Sequence, residues 1–315
     1  MTISWEYFSA LVSSTFRMCT PILLCGLASA VCAKAKIFNI AMEGCMLLSA
    51  FFGIVANYYS GGNVFLSVCA GVISSVLTSA LLAVFIIKLK ASPVIAGMAV
   101  NTTAGGITVF LMYIFFGTKG LFQDPSLKGL TKITPFFAST FPKMAQLFSG
   151  LTWIDYFSWI AAVCIYIFLY KTVAGFHLRA VGINLEAARS LGTDVEKYQF
   201  ITLTLSGILC GLAGITLSMG SVTLFIQNIS SGKGYIALTA AQLGGYHPLG
   251  VLAASLFFGV CQAIGNFLQN TSIKTQLSAM IPYIATLIAM ILSYIVAKRQ
   301  SEKKIQRSLQ KEKIQ

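Results

Sequence analysis

Long apolar blocks, repeated along nearly the whole chain, constrain this sequence more than any other feature. A helix needs about 20 mostly apolar residues to cross the bilayer core. On that criterion, membrane segments fall at 9–33, 37–59, 63–87, 91–117, 151–170, 200–220, 234–246, 248–268 and 277–297. The seventh is short for a crossing and is expected to be a short or broken helix. Hydrocarbon offers no water to bond a peptide group, so such blocks must fold as helices that satisfy their own backbone. The expectation is an all-α polytopic transmembrane helix bundle of about nine segments. It forms one domain, 1–297, followed by a basic tail, 298–315. Only 10% of residues are charged, against roughly 25% in an ordinary soluble domain. Polar stretches reach about 30 residues, too few for a separate soluble catalytic domain.

The net charge of +13 could suggest a nucleic-acid binder, but basic residues in membrane proteins gather on cytoplasmic loops. The tail carries seven Lys/Arg and two Glu, which suits an acidic inner leaflet. Membrane lipids, not nucleic acid, are the expected partner of this charge. Placing the tail, Lys34, Lys36, Lys88, Lys90 and the polar stretch 171–199 on one side requires an odd number of crossings and puts the N-terminus outside. The loop 118–150, with Pro125, Pro135 and Pro142, then lies outside as an extended cap despite its four lysines. No basic n-region precedes the first apolar run, so the mature chain is expected to start at or near Met1.

The stretch 171–199 is a polar island holding seven charged residues. Within 182–192 the sequence reads as a short helix with both ends marked. Asn184 suits an N-cap. Glu186 and Arg189 sit at their favoured poles of the helix dipole. Gly192 suits the left-handed residue after the last turn, and Gly182 lies just ahead. Ala187 and Ala188 leave a surface for close approach. Thr193 and Glu196 read as a capping box for the next helix.

Polar residues within the apolar blocks are candidates for a solute path. Glu43, with Asn39 four residues before it on the same predicted helix, is one group, and buried ionisable residues in membranes are functional by default. Arg17 could instead pair with Glu43 and hold two helices together. Asn101 and Thr102 lie in the fourth segment. Gln227, Asn228 and Gln242 lie in the glycine-rich stretch 225–250, whose interrupted pattern fits a discontinuous helix lining a transport path. Ser206, Cys210, Gly214 and Ser218 form a small-residue stripe for helix contact. The eight cysteines show no CxxC spacing and read as packing residues; no metal-ligand or catalytic constellation is expected. Gly-Lys-Gly at 232–234 is not a P-loop, since no Ser or Thr follows Lys233.

Three runs resemble one permease family: F-N-I-A-M-E-G-C-M-L-L at 38–48, A-V-G-I-N-L-E-A-A-R-S-L-G at 180–192, and S-G-K-G-Y-I-A-L-T-A-A with G-G-Y-H-P-L-G across 231–250. The family comprises the membrane subunits of ABC importers for ribose-like sugars, nucleosides and branched-chain amino acids. The chain most resembles the shorter permease of the nucleoside (purine) branch. Tyr246-His247 stands where that branch usually has Trp-Asn, and Lys233 where it usually has Arg. The resemblance implies a non-enzymatic subunit of a prokaryotic plasma-membrane importer, with no cofactor of its own. ATP and Mg would be bound by a separate ABC ATPase subunit. A second, unlike permease and an extracytoplasmic solute-binding lipoprotein would complete the assembly. It also implies that the island's Gly182, Asn184, Ala187, Ala188 and Gly192 form a coupling helix seated in the ATPase. A simple sugar such as ribose is the alternative cargo. An ion-coupled carrier using Glu43 and Arg17 is the alternative mechanism.

Overall fold

The computed structural model describes residues 5–134, 142–269, 280–281 and 284–291. Part of the ninth predicted segment, and all of the tail 298–315, lie outside the described residues, as does Pro135. Apart from two very short strands, the regular structure is helical. In chain order the elements are α1 (Trp5–Lys34), α2 (Met42–Tyr59), α3 (Val64–Ala83) with a π-helical turn (Val84–Lys88), α4 (Pro93–Phe116), β1 (Leu121–Phe122), α5 (Pro142–Leu147), α6 (Trp153–Lys171), α7 (Val173–Ile183), α8 (Leu185–Ser190), α9 (Val195–Met219), β2 (Phe225–Ile226), α10 (Lys233–Leu243) and α11 (Pro248–Gln269). Residues 280–281 and 284–291 are also helical. Among the described residues, six helices are long and apolar enough to cross a membrane: α1, α3 with its π turn, α4, α6, α9 and α11.

The core forms around α1, whose residues from Cys19 to Cys32 are all buried. Pro21 lies within this helix, as membrane helices tolerate where neighbouring helices pack around the lost backbone bond. Helix α9 packs against α2 and α3 through the small-residue stripe. A Cβ on Gly207 or Gly211 would meet the α3 backbone at about 2.9 Å. Facing serines complete the contact. Ser79 donates to the Leu203 carbonyl at 2.6 Å, Ser75 to that of Gly207 at 2.7 Å and, from α2, Ser49 to that of Gly211 at 2.6 Å. In hydrocarbon no hydrophobic force draws helices together, so backbone proximity and such bonds do so instead. All eight cysteines are unpaired thiols.

Contacts between helices define two ends of the bundle. At one, the close approach of Gly182 to the Lys34 carbonyl joins α7 to α1. At the other, β1 and β2 pair antiparallel with Leu121 opposite Ile226 and Phe122 opposite Phe225. The loop 118–134 is stitched down there. Asn57 accepts from the Lys128 N–H and donates to its carbonyl, and the Leu130 N–H donates to the Met219 carbonyl.

The seventh predicted segment is a helix with a broken approach. From β2 the chain descends through left-handed residues at Asn228 (φ 58°), Ser231 (φ 46°) and Gly232 (φ 76°) before α10 begins. α10 starts inside the bundle, where Gly234 faces Glu43, and at Ala237 it passes Gly26 on α1. Its 11 residues span about 16 Å, half of a bilayer core of about 30 Å. Beyond it, His247 packs on Tyr166 and Tyr170 near the end of α6.

Candidate functional site

Two places concentrate candidate side chains. The first is where α10 begins. Gly232, at its N-cap, has no side chain to receive the orphan N–H groups that every helix start leaves. Glu43, in the first turn of α2, supplies the acceptor: Oε1 takes the Gly232 N–H at 2.7 Å and Oε2 the Gly234 N–H at 2.6 Å. A carboxylate here also complements the positive end of the helix dipole. The predicted alternative of an Arg17–Glu43 pair is not what the structure shows. The ion pair among the described residues is Arg189–Glu196, and Arg17 has Asp155 of α6 as its charged neighbour. Gly234 must be glycine, because a Cβ there would sit 2.7 Å from Glu43 Oε2.

Asn39 and Asn101 brace the same junction. Asn39 precedes α2 in the connecting turn and does not share its helix with Glu43. Helix geometry starts only at Met42 because Asn39 Oδ1 accepts the Ala41 N–H at 3.0 Å, closing a turn, while Nδ2 donates to Ser206 Oγ at 2.9 Å. Asn101 Oδ1 accepts the Gly44 N–H at 2.8 Å, and its Nδ2 donates to the Ile40 carbonyl at 3.0 Å and to the Tyr235 hydroxyl at 3.1 Å. Asn39, Glu43 and Asn101 therefore converge on one joint between α2, α4, α9 and α10. The remaining path candidates stand apart. Thr102 bonds the Met98 carbonyl of its own helix, Gln227 lies at the β end beside Gly120, Asn228 forms a left-handed turn, and Gln242 is exposed near the end of α10.

Beside this joint lies a cavity of about 520 Å³ between α1, the end of α9, the start of α10 and α11. None of the seven path candidates lines it. Arg17, Lys233 and Gln262 do, and Gln262 was not singled out from sequence. A lone glutamine in an apolar helix carries no local signal; it became visible only when α11 packed antiparallel on α1.

The second place is the polar island, which folds as three helices instead of two. Helix α7 uses the Thr172 side chain as its cap. Asn184 ends α7 and begins α8, its Oδ1 accepting the Glu186 and Ala187 N–H groups at 3.0 and 3.2 Å. Gly192 adopts φ 79°. Its N–H bonds the Arg189 carbonyl and the Thr193 N–H bonds that of Ala188, the paired closure that ends helices on a left-handed residue. Glu186 is in the first turn of α8 and Arg189 in the last. The cap of α9 falls one residue later than the predicted Thr193. Asp194 accepts the Lys197 N–H at 3.1 Å, and Glu196 turns away to meet Arg189 at 3.4 Å.

Two residues face inward where the sequence reading had them available to a partner. Gly182 closes α7 against the Lys34 carbonyl. Ala188, 3% exposed, seats α8 against Val181 and Val195. Apolar side chains project from the island beside the exposed Glu186 and Arg189: Ile183 at 81% and Leu191 at 83% exposure, with Ala187 exposed between them.

A bundle of helices long and apolar enough to cross a membrane, with one interrupted helix and a capped loop helix, defines the class: a multi-pass helical membrane protein. The comparisons agree. The family model described as branched-chain amino acid transport system / permease component matches residues 11–292, and the chain belongs to that family. It is 28% identical over 301 residues to the guanosine ABC transporter permease protein NupQ of Bacillus subtilis, covering 90% of this chain and 92% of that one. It is 27% identical to the putative glucose ABC transporter permease protein TsgC13 of Haloferax volcanii, with 94% of each chain covered. It is also 27% identical to the nucleoside ABC transporter permease protein NupC of Lactococcus lactis, over 90% and 91% of the two chains. Among solved structures, a putative metal-chelate type ABC transporter in an inward-facing conformation shares the fold, with TM-score 0.54 at 14% identity over 90% of this chain and 85% of that one. The protein is a multi-pass membrane permease component of an ABC transport system in the prokaryotic plasma membrane.

Proposed function

We propose that this chain is the shorter membrane subunit of an importer that carries nucleosides into the cytoplasm, powered by a separate ATPase. The observation that carries this reading is the similarity over nine-tenths of the chain to permeases named for guanosine and for nucleosides. The chain brings no phosphate-binding loop, so ATP and Mg reside on a partner. Helix α8 is the coupling helix: capped by Asn184, ended by Gly192, and presenting Ile183, Ala187 and Leu191 outward to a groove of the ATPase. Closure of the ATPase pushes α8, and rigid-body rocking of the bundle alternates its openings.

In this reading the chain crosses nine times, α10 with its extended approach counting once. The Lys34 and α8 end is cytoplasmic, with the basic tail on the inner leaflet. The β end faces the solute-binding lipoprotein. Helix α4, with Ile95, Met98, Phe110 and Ile114 exposed, faces lipid or a second, unlike permease. The similarity to a glucose permease favours one second reading, a simple sugar as cargo.

The test is uptake by the complete importer in whole cells. Radiolabelled guanosine should accumulate, and accumulation should stop on ATP depletion but survive a protonophore at constant ATP. Uptake of glucose or ribose without guanosine would replace the cargo. Uptake that survives ATP loss and fails with the protonophore would replace the mechanism with ion coupling.

A further inference from the structure

We propose that the cleft where α1, α6 and α7 meet holds the phosphate of an anionic phospholipid from the inner leaflet. The site is independent of the cargo and rests on the proposed cytoplasmic placement of this end. The cleft has a volume of about 350 Å³, and Lys34, Tyr170, Arg179 and Ile183 are among its lining residues. Lys34 is the last residue of α1 and Tyr170 the last but one of α6. Both helices are long and apolar enough to cross a membrane. Their ends therefore mark the depth of the lipid headgroups, where tyrosine rings gather.

Two cations at the cleft lack an acidic partner. Among the described residues, neither Lys34 nor Arg179 makes an ion pair, and no carboxylate lines the cleft. The carboxylates of the island are engaged elsewhere. Asp194 caps α9, Glu196 meets Arg189, and Glu186 stands in the first turn of α8. Lys34, in the last turn of α1, also complements the dipole of its helix. Arg179 lies before the last turn of α7 and has no such role. Its guanidinium carbon stands 4.9 Å from the centre of the Tyr170 ring. An arginine held over a ring keeps its in-plane N–H donors, which suit two oxygens of a phosphate. Lys36 and Lys171, both exposed, add positive charge at the same end.

The surface beside these cations selects a lipid over a free anion. Helix α7 exposes Val173 at 74% and Phe176 at 61%, on the side away from the buried Gly175 and Leu178. Arg179 follows Phe176 by three residues, so charge and apolar surface are neighbours on one helix. A free phosphate would use the cations alone. A phospholipid uses both, its phosphate on Lys34 and Arg179 and its acyl chains along Phe176 and Val173. Basic pockets between membrane helices on the cytoplasmic side take acidic headgroups in this way.

The experiment is native mass spectrometry of the purified complex with its second permease and ATPase. The complex is supplied with equimolar phosphatidylglycerol and phosphatidylcholine of matched acyl chains. The wild-type complex should retain phosphatidylglycerol in preference. The Lys34→Gln/Arg179→Gln double variant should retain one phosphatidylglycerol fewer per complex, with phosphatidylcholine unchanged. Arg179→Gln alone serves if the double variant does not assemble by size exclusion. Inorganic phosphate in large excess should not displace the lipid. Equal phosphatidylglycerol retention by wild type and variant would overturn the site. Displacement by phosphate would make it a site for free anions and overturn the lipid. Both readouts are independent of orientation, so maleimide labelling of this end reports separately on its cytoplasmic placement.

Discussion

Glu43 performs at one residue the task that a capping side chain performs in an ordinary helix. Because α10 starts at a left-handed glycine, which has no side chain to cap it, a carboxylate from another helix bonds the Gly232 and Gly234 N–H groups instead. Bonds to a charged acceptor contribute about 1.5–3 kcal/mol each. Glu43→Gln weakens one bond and loses the second, since an amide offers one carbonyl oxygen where the carboxylate offers two. The thermal unfolding midpoint of the purified complex should therefore fall by several degrees, and solute uptake with it. An unchanged midpoint would remove the capping role. Gly234→Ala presses a methyl into the same carboxylate and should match or exceed that loss in the same assay. The sequence marked Glu43 as a charge in an apolar block and could go no further. Its partners are backbone groups about 190 residues away, and backbone groups leave no trace in composition.

At the scale of elements, α8 was almost fully legible. Capping is local, so Asn184, Gly192 and the placement of Glu186 and Arg189 could be read from neighbours a few residues apart. Its orientation was not legible. Which of Ala187, Ala188 and Leu191 faces outward depends on where α7 and α9 pack, and that seats Ala188 inward and leaves Leu191 out. Two variants should therefore separate. Leu191→Asp alters only an exposed tip, so the permease should retain its stability while ATPase co-purification and uptake fall at least tenfold. Ala188→Trp forces a large ring between Val181 and Val195, so it should lower both uptake and the thermal midpoint. If Leu191→Asp leaves co-purification and uptake unchanged, the coupling surface lies elsewhere. Asn184→Ala removes two bonds at the start of α8 and should destabilise that helix by about 1 kcal/mol. Faster amide exchange over 185–190 would register this.

For the whole molecule, the two ends of the bundle make a sidedness prediction. Cysteine introduced at Glu186 should react with a membrane-impermeant maleimide only in inside-out vesicles, and cysteine introduced at Lys119 only in intact cells. Labelling of both from one side would contradict the nine-crossing topology. Five of the eight native thiols are buried, and the test replaces the other three, Cys69, Cys164 and Cys261, with serine.

What the sequence determined by itself was whatever depends on near neighbours and on the solvent. Apolar blocks dictated helices because hydrocarbon leaves a backbone no other partner, and local caps and left-handed glycines located the island's helix. Three ordered motifs carried the family. What only the tertiary structure decided was which distant residues share a space. It brought Asn39, Glu43 and Asn101 to one joint, closed Gly182 against Lys34, and placed Arg17 and Gln262 in the lining of one cavity. These depend on how helices separated by hundreds of residues cross and how closely small residues let them approach, and one-dimensional spacing does not encode either.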